Sequence, residues 1–101
     1  MISKKKTYTV HPGEILSEEF LKPLGVSEYR LARSTEMSAR RVNEIVHGTR
    51  AITADTALRL ASFFGTSAQL WMNLQTQYDL DVSRHNLAPL LGRVVTLAEV
   101  R

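Results

Sequence analysis

The segment from Ser27 to His47, SEYRLARSTEMSARRVNEIVH, constrains the fold of this chain more than any other. Its apolar residues recur at the three- and four-residue spacing of an α-helix on both sides of a short polar stretch. They are Leu31, Ala32, Met37, Val42 and Ile45. The spacing predicts two short helices joined by a four-residue turn, and the small side chain of Ala32 allows the second helix to cross the first closely.

Start and stop signals along the chain predict five helices in all. Pro12 suits the first position of the first helix, and Glu14 in its first turn suits the helix dipole. The other four begin after a serine or threonine cap, at Ser27, Ser38, Thr53 and Ser67. Residues that end a helix follow at Pro23, Gly25, Gly48 and Gly65. We therefore expect an all-α fold in which residues 11–80 form one five-helix domain.

The same spacing predicts which side chains face the core. The first helix has an apolar face made of Ile15, Leu16, Phe20 and Leu21, and the second turns Tyr29 inward together with Leu31 and Ala32. In the fifth helix one apolar face is shared by Trp71, Leu74 and Tyr78. Because an apolar face on the last helix of a small domain is often an interface, we expect these three residues to contact a second chain. A purely internal role for them is the alternative.

The third helix carries polar side chains of the kind that read DNA. Val42, Ile45 and Val46 fix its buried face, so its remaining residues face outward. Arginine pairs with guanine and asparagine with adenine, serine donates to a phosphate or a base edge, and glutamate accepts from cytosine or holds an arginine in position. The predicted base contacts are Ser38, Ala39, Arg40, Arg41, Asn43 and Glu44. Together with the turn before it, this pattern is typical of a DNA-binding helix-turn-helix.

The loop after the third helix supplies predicted phosphate contacts. Thr49, Arg50 and Thr53 lie beside the N-terminal amides of the fourth helix, a favourable place for an anion. Two plainer interpretations stay open at this point. Arg40 and Arg41 can be solvated charges on a surface helix, and Glu44 can form an ordinary ion pair with either of them.

Charge is unevenly distributed along the 101 residues. Residues 1–50 hold nine Lys or Arg against six Glu, a net charge of +3, whereas residues 51–101 hold four Arg against four acidic residues. The basic excess lies on the half with the helix-turn-helix, which favours a polyanionic partner. The length allows one domain with a modest core.

The two ends of the chain give weaker signals. Residues 1–10 are predicted to be a flexible basic arm around Lys4–Lys6, in which contact with DNA phosphate is the less favoured alternative. Residues 81–101 are predicted to be an extension that contains Pro89 and Gly92. A short helix over residues 83–88 followed by an extended stretch from Arg93 is one of several possibilities, and the tail either pairs with another chain or frays.

Several classes of function are disfavoured by the sequence. It has no cysteine, which fits a cytoplasmic protein without disulfides, and no apolar run of 18 residues to span a membrane. The start of the chain lacks the apolar region of a signal peptide. His11, His47 and His85 are too scattered for a metal site, so we expect capping or surface roles for them. Neither a phosphate-binding loop nor a catalytic motif is present, so we expect no enzyme and no cofactor.

Four stretches outside the bare motif resemble one family. They are HPGEIL from His11, VNEIVHGTRAIT from Val42, TADTALRLASFFGTS from Thr53 and WMNLQTQYDL from Trp71. Over roughly residues 11–80 the chain resembles the HigA antitoxins, also called VapI, a branch of the lambda-repressor-like helix-turn-helix proteins. The resemblance implies a homodimer that binds a palindromic operator in its own promoter and neutralises a RelE-like toxin, an mRNA endonuclease.

The turn between the two DNA-binding helices departs from the usual pattern. Glycine in a left-handed conformation is common there, and this chain has Glu36 instead. A side chain in that conformation costs about 1 kcal/mol, so we expect local strain or a slightly altered helix angle.

Three functions remain open from the sequence. The favoured one is an antitoxin that represses its own operon as a two-fold dimer, with two copies of the Ser38–Val46 helix in successive major grooves. The second is a stand-alone repressor without a toxin partner. The third is a helical interaction module that has lost DNA binding, and Glu36 is the feature that points to it.

Overall fold

The structure, a computed structural model, describes residues 9–100, with side chains for residues 9–98. Five helices and a final helical turn make up this part of the chain, and no strand occurs in it. The predicted basic arm lies outside the described residues except for Thr9 and Val10. The all-α, five-helix architecture predicted from the sequence is confirmed.

The first helix, α1, has three parts. They are an α-helical turn at Pro12–Ile15, a π-helical segment at Leu16–Leu21 and a closing turn at Lys22–Leu24. The helices that follow are α2 at Glu28–Thr35, α3 at Ala39–Val46, α4 at Ala54–Phe64 and α5 at Ala68–Leu91. The final turn is Leu97–Val100.

Residues next to each end of α1 set where this helix begins and ends. The Gly13 N–H donates to Nδ1 of His11 over 2.9 Å, which confirms a capping role for this histidine. The wider π turn brings Leu16 and Leu21, five residues apart, into the same core. Gly25 ends the helix in a left-handed conformation, whereas Pro23 lies inside the last turn and does not break it.

The serine and threonine caps occur where the sequence predicts them. The side-chain oxygens of Ser27, Ser38, Thr53 and Ser67 each accept a backbone N–H in the first turn of the helix that follows. These bonds satisfy N–H groups that have no partner within the helix. The starts of α2 to α5 are therefore set by their own sequences.

Tyr29 lies on the opposite side of α2 from its predicted position. It is 66% exposed, and its hydroxyl accepts a hydrogen bond from Arg33 Nη1 at 3.3 Å. Two residues correspond to about 200° around a helix, so Tyr29 cannot share the buried face of Leu31. The inward prediction for Tyr29 is wrong.

Helix α5 is longer than predicted. It continues across residues 79–88, where the sequence offers no glycine or proline to stop it, so the short helix expected at 83–88 is part of α5. Pro89 lies in the last turns, close to the end of the helix at Leu91. The stretch expected to be extended from Arg93 is not helical at residues 94–96 and then forms the final turn at Leu97–Val100.

Trp71 is at the centre of the core. Its ring packs against Phe20 at 4.8 Å and Phe64 at 6.1 Å between ring centroids, and its Nε1–H donates to Thr66 Oγ1 at 2.8 Å. The side chain is fully buried within one chain, so it has no surface to offer a second chain. Trp71 is thus a core residue and not the interface residue predicted, whereas Leu74 and Tyr78 on the same helix are only half-buried.

Candidate nucleic-acid interface

Helix α3 presents its polar side to solvent. Val42 and Ile45 are buried beneath it, and Ser38, Ala39, Arg40 and Asn43 are exposed, as predicted. The side chain of Arg40 is 84% accessible to solvent. The α3 surface can therefore present a guanidinium group, an amide and a hydroxyl together to the edges of base pairs.

Glu44 holds two of the arginines predicted to contact DNA. Its Oε2 accepts from Arg40 Nε at 3.0 Å, and its Oε1 accepts from Arg50 Nε at 2.8 Å. The hydrogen bonds from Arg40 and then Arg50 lower the pKa of the Glu44 carboxyl below its ordinary value. The ion-pair alternative raised for Glu44 is therefore present in the free protein, and this carboxylate aligns Arg40 along α3.

Asn43 is linked to the preceding helix. Its Nδ2 donates to Oε1 of Glu28 at 3.3 Å, which joins the middle of α3 to the first turn of α2. Sequence reasoning did not single out Glu28. The bond leaves the Asn43 side chain exposed on the same face as Arg40.

Arg41 is directed away from the other predicted base contacts. Its Nη2 donates to Asp55 Oδ1 and to Thr56 Oγ1, both at 2.6 Å, and only 23% of its side chain is exposed. The structure thus places Arg41 against the first turn of α4, not on the open face of α3. The reason is that residue 41 follows Arg40 by about 100° around the helix, which turns it toward α4.

Asp55 and Arg59 complete a set of charged contacts that sequence reasoning missed. Arg59 Nε donates to Asp55 Oδ1 at 2.7 Å, and Arg59 Nη1 donates to the backbone oxygens of Thr35 at 2.7 Å and Glu36 at 3.2 Å. Hydrogen bonds from Arg59 and then Arg41 lower the pKa of the Asp55 carboxyl, and Asp55 in turn raises the pKa of Arg59. The spacing of Asp55 and Arg59 by four residues was the only signal in the sequence.

The turn before α3 adopts the conformation expected of a glycine position. Glu36 has φ 57° and ψ 39°, and the Met37 N–H donates to the Ala32 carbonyl at 3.0 Å. This bond closes the end of α2 and buries Met37 in the core. The turn forms although residue 36 is a glutamate. The backbone carbonyls of Thr35 and Glu36 in this turn accept the hydrogen bonds from Arg59.

The loop between α3 and α4 is held at three points. Gly48 has φ 79°, the Thr49 N–H donates to the Glu44 carbonyl at 2.9 Å, and the Ile52 N–H donates to Oε1 of buried Gln75 at 2.7 Å. Thr49 and Arg50 are exposed on this loop. Thr53 is exposed too, but its Oγ1 already caps α4. These features hold the loop in one conformation beside the first turn of α4.

Comparisons with known proteins agree with this geometry. The helix-turn-helix family HTH_3 matches residues 18–71. The virulence-associated protein I of Dichelobacter nodosus is 52% identical over 83 residues, which cover 82% of this chain and 77% of that protein. The Pseudomonas aeruginosa antitoxin HigA, solved with the higBA promoter, superposes with a TM-score of 0.83 and 43% identity over 87% of this chain and 96% of that one. This chain belongs to the HigA/VapI family.

Further relatives fall into two groups by name. The antitoxin HigA-1 of Vibrio cholerae is 34% identical over 77 residues, covering 76% of this chain and 72% of that protein. The HTH-type transcriptional regulator YbaQ of Escherichia coli K12 is 36% identical over 90 residues, covering 87% and 80%. Membership in the HigA/VapI family identifies a DNA-binding helix-turn-helix protein and not an enzyme.

Other kinds of site receive no support from the part of the chain that is described. Residues 9–98, whose side chains the structure describes, contain no group of histidine and acidic side chains that could hold a metal ion. Within the same range no helix has the length and apolar character needed to cross a bilayer.

Proposed function

We propose that this HigA/VapI protein is the antitoxin of a type II toxin–antitoxin system, which represses its own operon as a homodimer and neutralises a RelE-like mRNA endonuclease. The observation that carries the DNA-binding part is the open polar face of α3, with Arg40 84% exposed and aligned by Glu44. Family members support it, because HigA of Pseudomonas aeruginosa was solved with a promoter and GraA with its operator.

In this proposal α3 enters the major groove. Arg40 and Asn43 meet base edges there, with Ser38 and Ala39 at the start of the helix in the same groove. The exposed loop residues Thr49 and Arg50 contact phosphates together with the N-terminal amides of α4. The local charges favour this placement, since two cations, Arg40 and Arg50, share the single carboxylate of Glu44.

The dimer is proposed to use the exposed side of α5. Leu80, Leu87, Leu90 and Leu91 on this side are between 42% and 49% exposed. Leu74 and Tyr78, which the sequence predicted as interface residues, are half-buried on the opposite side of the helix, that of buried Trp71 and Gln75. Apolar side chains at this density on one helix are costly in water, which favours their burial against a second copy. Two copies joined in this way would bind two half-sites of a palindrome and occlude the promoter.

The first experiment is a fluorescence-anisotropy titration of the purified protein with DNA from upstream of its gene. Random DNA competes, and two salt concentrations are used because contacts to phosphate alone weaken steeply with salt. Tight binding that resists the competitor supports the repressor. Binding that is equally weak on all sequences would overturn it and favour a helical interaction module.

A second candidate function is a stand-alone transcriptional regulator, favoured by relatives such as YbaQ of Escherichia coli that are named only as regulators. The antitoxin would have a toxin partner, whereas the stand-alone regulator would not. Expression in the bacterial cytoplasm of a neighbouring endonuclease gene, with and without this chain, separates them. Growth arrest that this chain relieves supports the antitoxin, whereas no arrest or no relief supports the stand-alone regulator.

A further inference from the structure

One carboxylate oxygen joins three elements of the DNA-binding region. Oδ1 of Asp55 accepts from Arg41 Nη2 at 2.6 Å and from Arg59 Nε at 2.7 Å. Arg41 belongs to α3, and Arg59 reaches the carbonyls of the turn between α2 and α3. We call Arg41, Asp55 and Arg59 the arginine relay.

The relay acts on the turn that lacks glycine. Glu36 holds a left-handed conformation, which a side chain disfavours, so contacts from outside the turn add to the backbone bonds that close it. Arg59 makes such contacts by donating to the carbonyls of Thr35 and Glu36, and Asp55 orients the Arg59 guanidinium for this contact. The geometry of the turn sets the direction in which α3 leaves it.

The relay also acts on the start of α3. Arg41 lies in the first turn of α3, where its backbone N–H donates to the Ser38 cap at 3.0 Å while its side chain is tied to α4. Arg40 and Ala39 lie beside it on the exposed face. A tilt of α3 about its start would displace Arg40 and Ala39 directly, and base contacts tolerate displacements of only about 0.5 Å.

We propose that Asp55 is a positioning residue for DNA reading, which fixes the angle of α3 by holding Arg41 and Arg59 on one carboxylate oxygen. This inference rests on the proposed operator binding. It assigns to Arg41 a role in orienting the helix and not in contacting a base. It also explains how a chain with Glu36 in the turn retains a helix-turn-helix suited to sequence-specific binding.

If Asp55 acted only through its negative charge, its removal would change the affinity for DNA in the opposite direction. Asp55 lies in the first turn of α4, beside the amides proposed to face phosphates, and 58% of its side chain is exposed. A carboxylate that acted only by its charge would repel DNA, so its removal would strengthen binding to every sequence. Under our proposal Asp55→Asn weakens operator binding while binding to random DNA stays equal or increases.

The test compares operator and random DNA for the full chain and its variants. Asp55→Asn should reduce the ratio of operator to random affinity by about tenfold, the size of one lost base contact, and Asp55→Glu should recover most of it. Glu18→Gln is the matched control, because Glu18 is also an exposed carboxylate paired with one cation, Lys22 at 2.7 Å, but on α1. It should leave the ratio unchanged.

Two further measurements keep the result decisive. A single cooperative urea transition with the wild-type slope shows that the fold of Asp55→Asn persists, even where loss of the ion pairs lowers the midpoint. The double variant that combines Asp55→Asn with Arg41→Lys should lose no more of its preference for operator DNA than either single variant, because each substitution alone already breaks the relay. Losses that add would give Arg41 its own base contact and overturn the proposal.

The outcomes also separate this inference from the proposed function. If the wild-type chain prefers its operator and Asp55→Asn keeps that preference, the inference alone is wrong. A wild-type chain without any preference for its operator overturns the proposed function, and the inference with it.

Discussion

The backbone of Gly13 in α1 lies directly against the carbonyl group of Ile45 at the end of α3. A Cβ atom on residue 13 would overlap the Ile45 oxygen and lie 2.7 Å from its carbonyl carbon. The first helix can therefore approach α3 this closely only because residue 13 has no side chain. This contact gives the HPGEIL stretch a physical role, since it fixes the far end of α3.

Gly13→Ala should lower the free energy of unfolding by roughly 2–3 kcal/mol, because α1 must move away from α3 to make room. Urea denaturation measures the loss. Gly92→Ala is the matched control, since its Cβ would meet Pro89 O at an ordinary 3.7 Å and its φ is −67°. A Gly13→Ala midpoint equal to that of Gly92→Ala would contradict the close contact.

Arg40→Ala should weaken operator binding far more than binding to random DNA, since a bidentate contact to a base discriminates by about 1–3 kcal/mol. Arg50→Ala should weaken both to a similar extent and flatten the salt dependence, because Arg50 is proposed to contact phosphate and not a base. Anisotropy titrations at two salt concentrations measure both effects. Equal losses on the two DNAs for Arg40→Ala would rule out a base-reading role.

Glu44 should titrate below its ordinary pKa of 4.5, because Arg40 and Arg50 both donate to it. A depressed pKa in the folded state means that the carboxylate stabilises the fold fully above pH 4.5 and less as the pH falls through the lowered value. The stability difference between wild type and Glu44→Gln should therefore shrink as the pH is lowered through that range. Urea midpoints at a series of pH values measure this, and carboxyl NMR gives the pKa directly. Titration of Glu44 at or above 4.5 would contradict the ion pairs.

Gln75→Leu should cost about 1–3 kcal/mol, the usual penalty when a buried donor loses its partner. The donor is the N–H of Ile52, which bonds Oε1 of Gln75 at 2.7 Å. Thermal or urea unfolding gives the loss, and hydrogen exchange at Ile52 should accelerate. Gln77→Leu serves as the control, because Gln77 is exposed and donates to Asp81 on its own helix, not to the loop. Equal stability of the two variants would show that Gln75 does not anchor the loop.

Leu87→Lys combined with Leu90→Lys should shift the proposed dimer toward monomer in sedimentation velocity, since two charges cannot be buried at an apolar interface without partners. Leu58→Lys on α4 is the control, because Leu58 is 60% exposed and lines a cleft with Thr35 and Glu36 at the turn after α2. A wild-type chain that sediments as a monomer at micromolar concentration would refute the dimer outright.

Local signals were enough to predict most of the helices. Each capping serine or threonine bonds an N–H within the first turn that follows it, so Ser27, Ser38, Thr53 and Ser67 act without help from the rest of the chain. Tyr29 was predicted wrongly because its apolar ring was weighed above its position on the helix. The length of α5 was missed because the helical signal weakens after Asp79 and because Pro89 was taken as a stop, although the helix runs on to Leu91.

The sequence predicted some features of the candidate site and missed others. The exposed face of α3 was predictable, because buried Val42 and Ile45 leave Arg40 and Asn43 on the outside. The roles of Arg41 and Trp71 were not, since both depend on what the neighbouring helices place beside them.

The sequence by itself determined the helices, their caps, the left-handed residue at Glu36 and the family of the protein. All of these depend on residues a few positions apart or on motifs read in order. Only the tertiary structure decided where the polar side chains point. Arg41 meets Asp55 across 14 residues, Gln75 meets Ile52 across 23 and Arg59 meets Thr35 across 24. Such pairs form only when the packing of apolar faces brings distant helices together. Patterns among residues close in sequence do not predict how those helices pack.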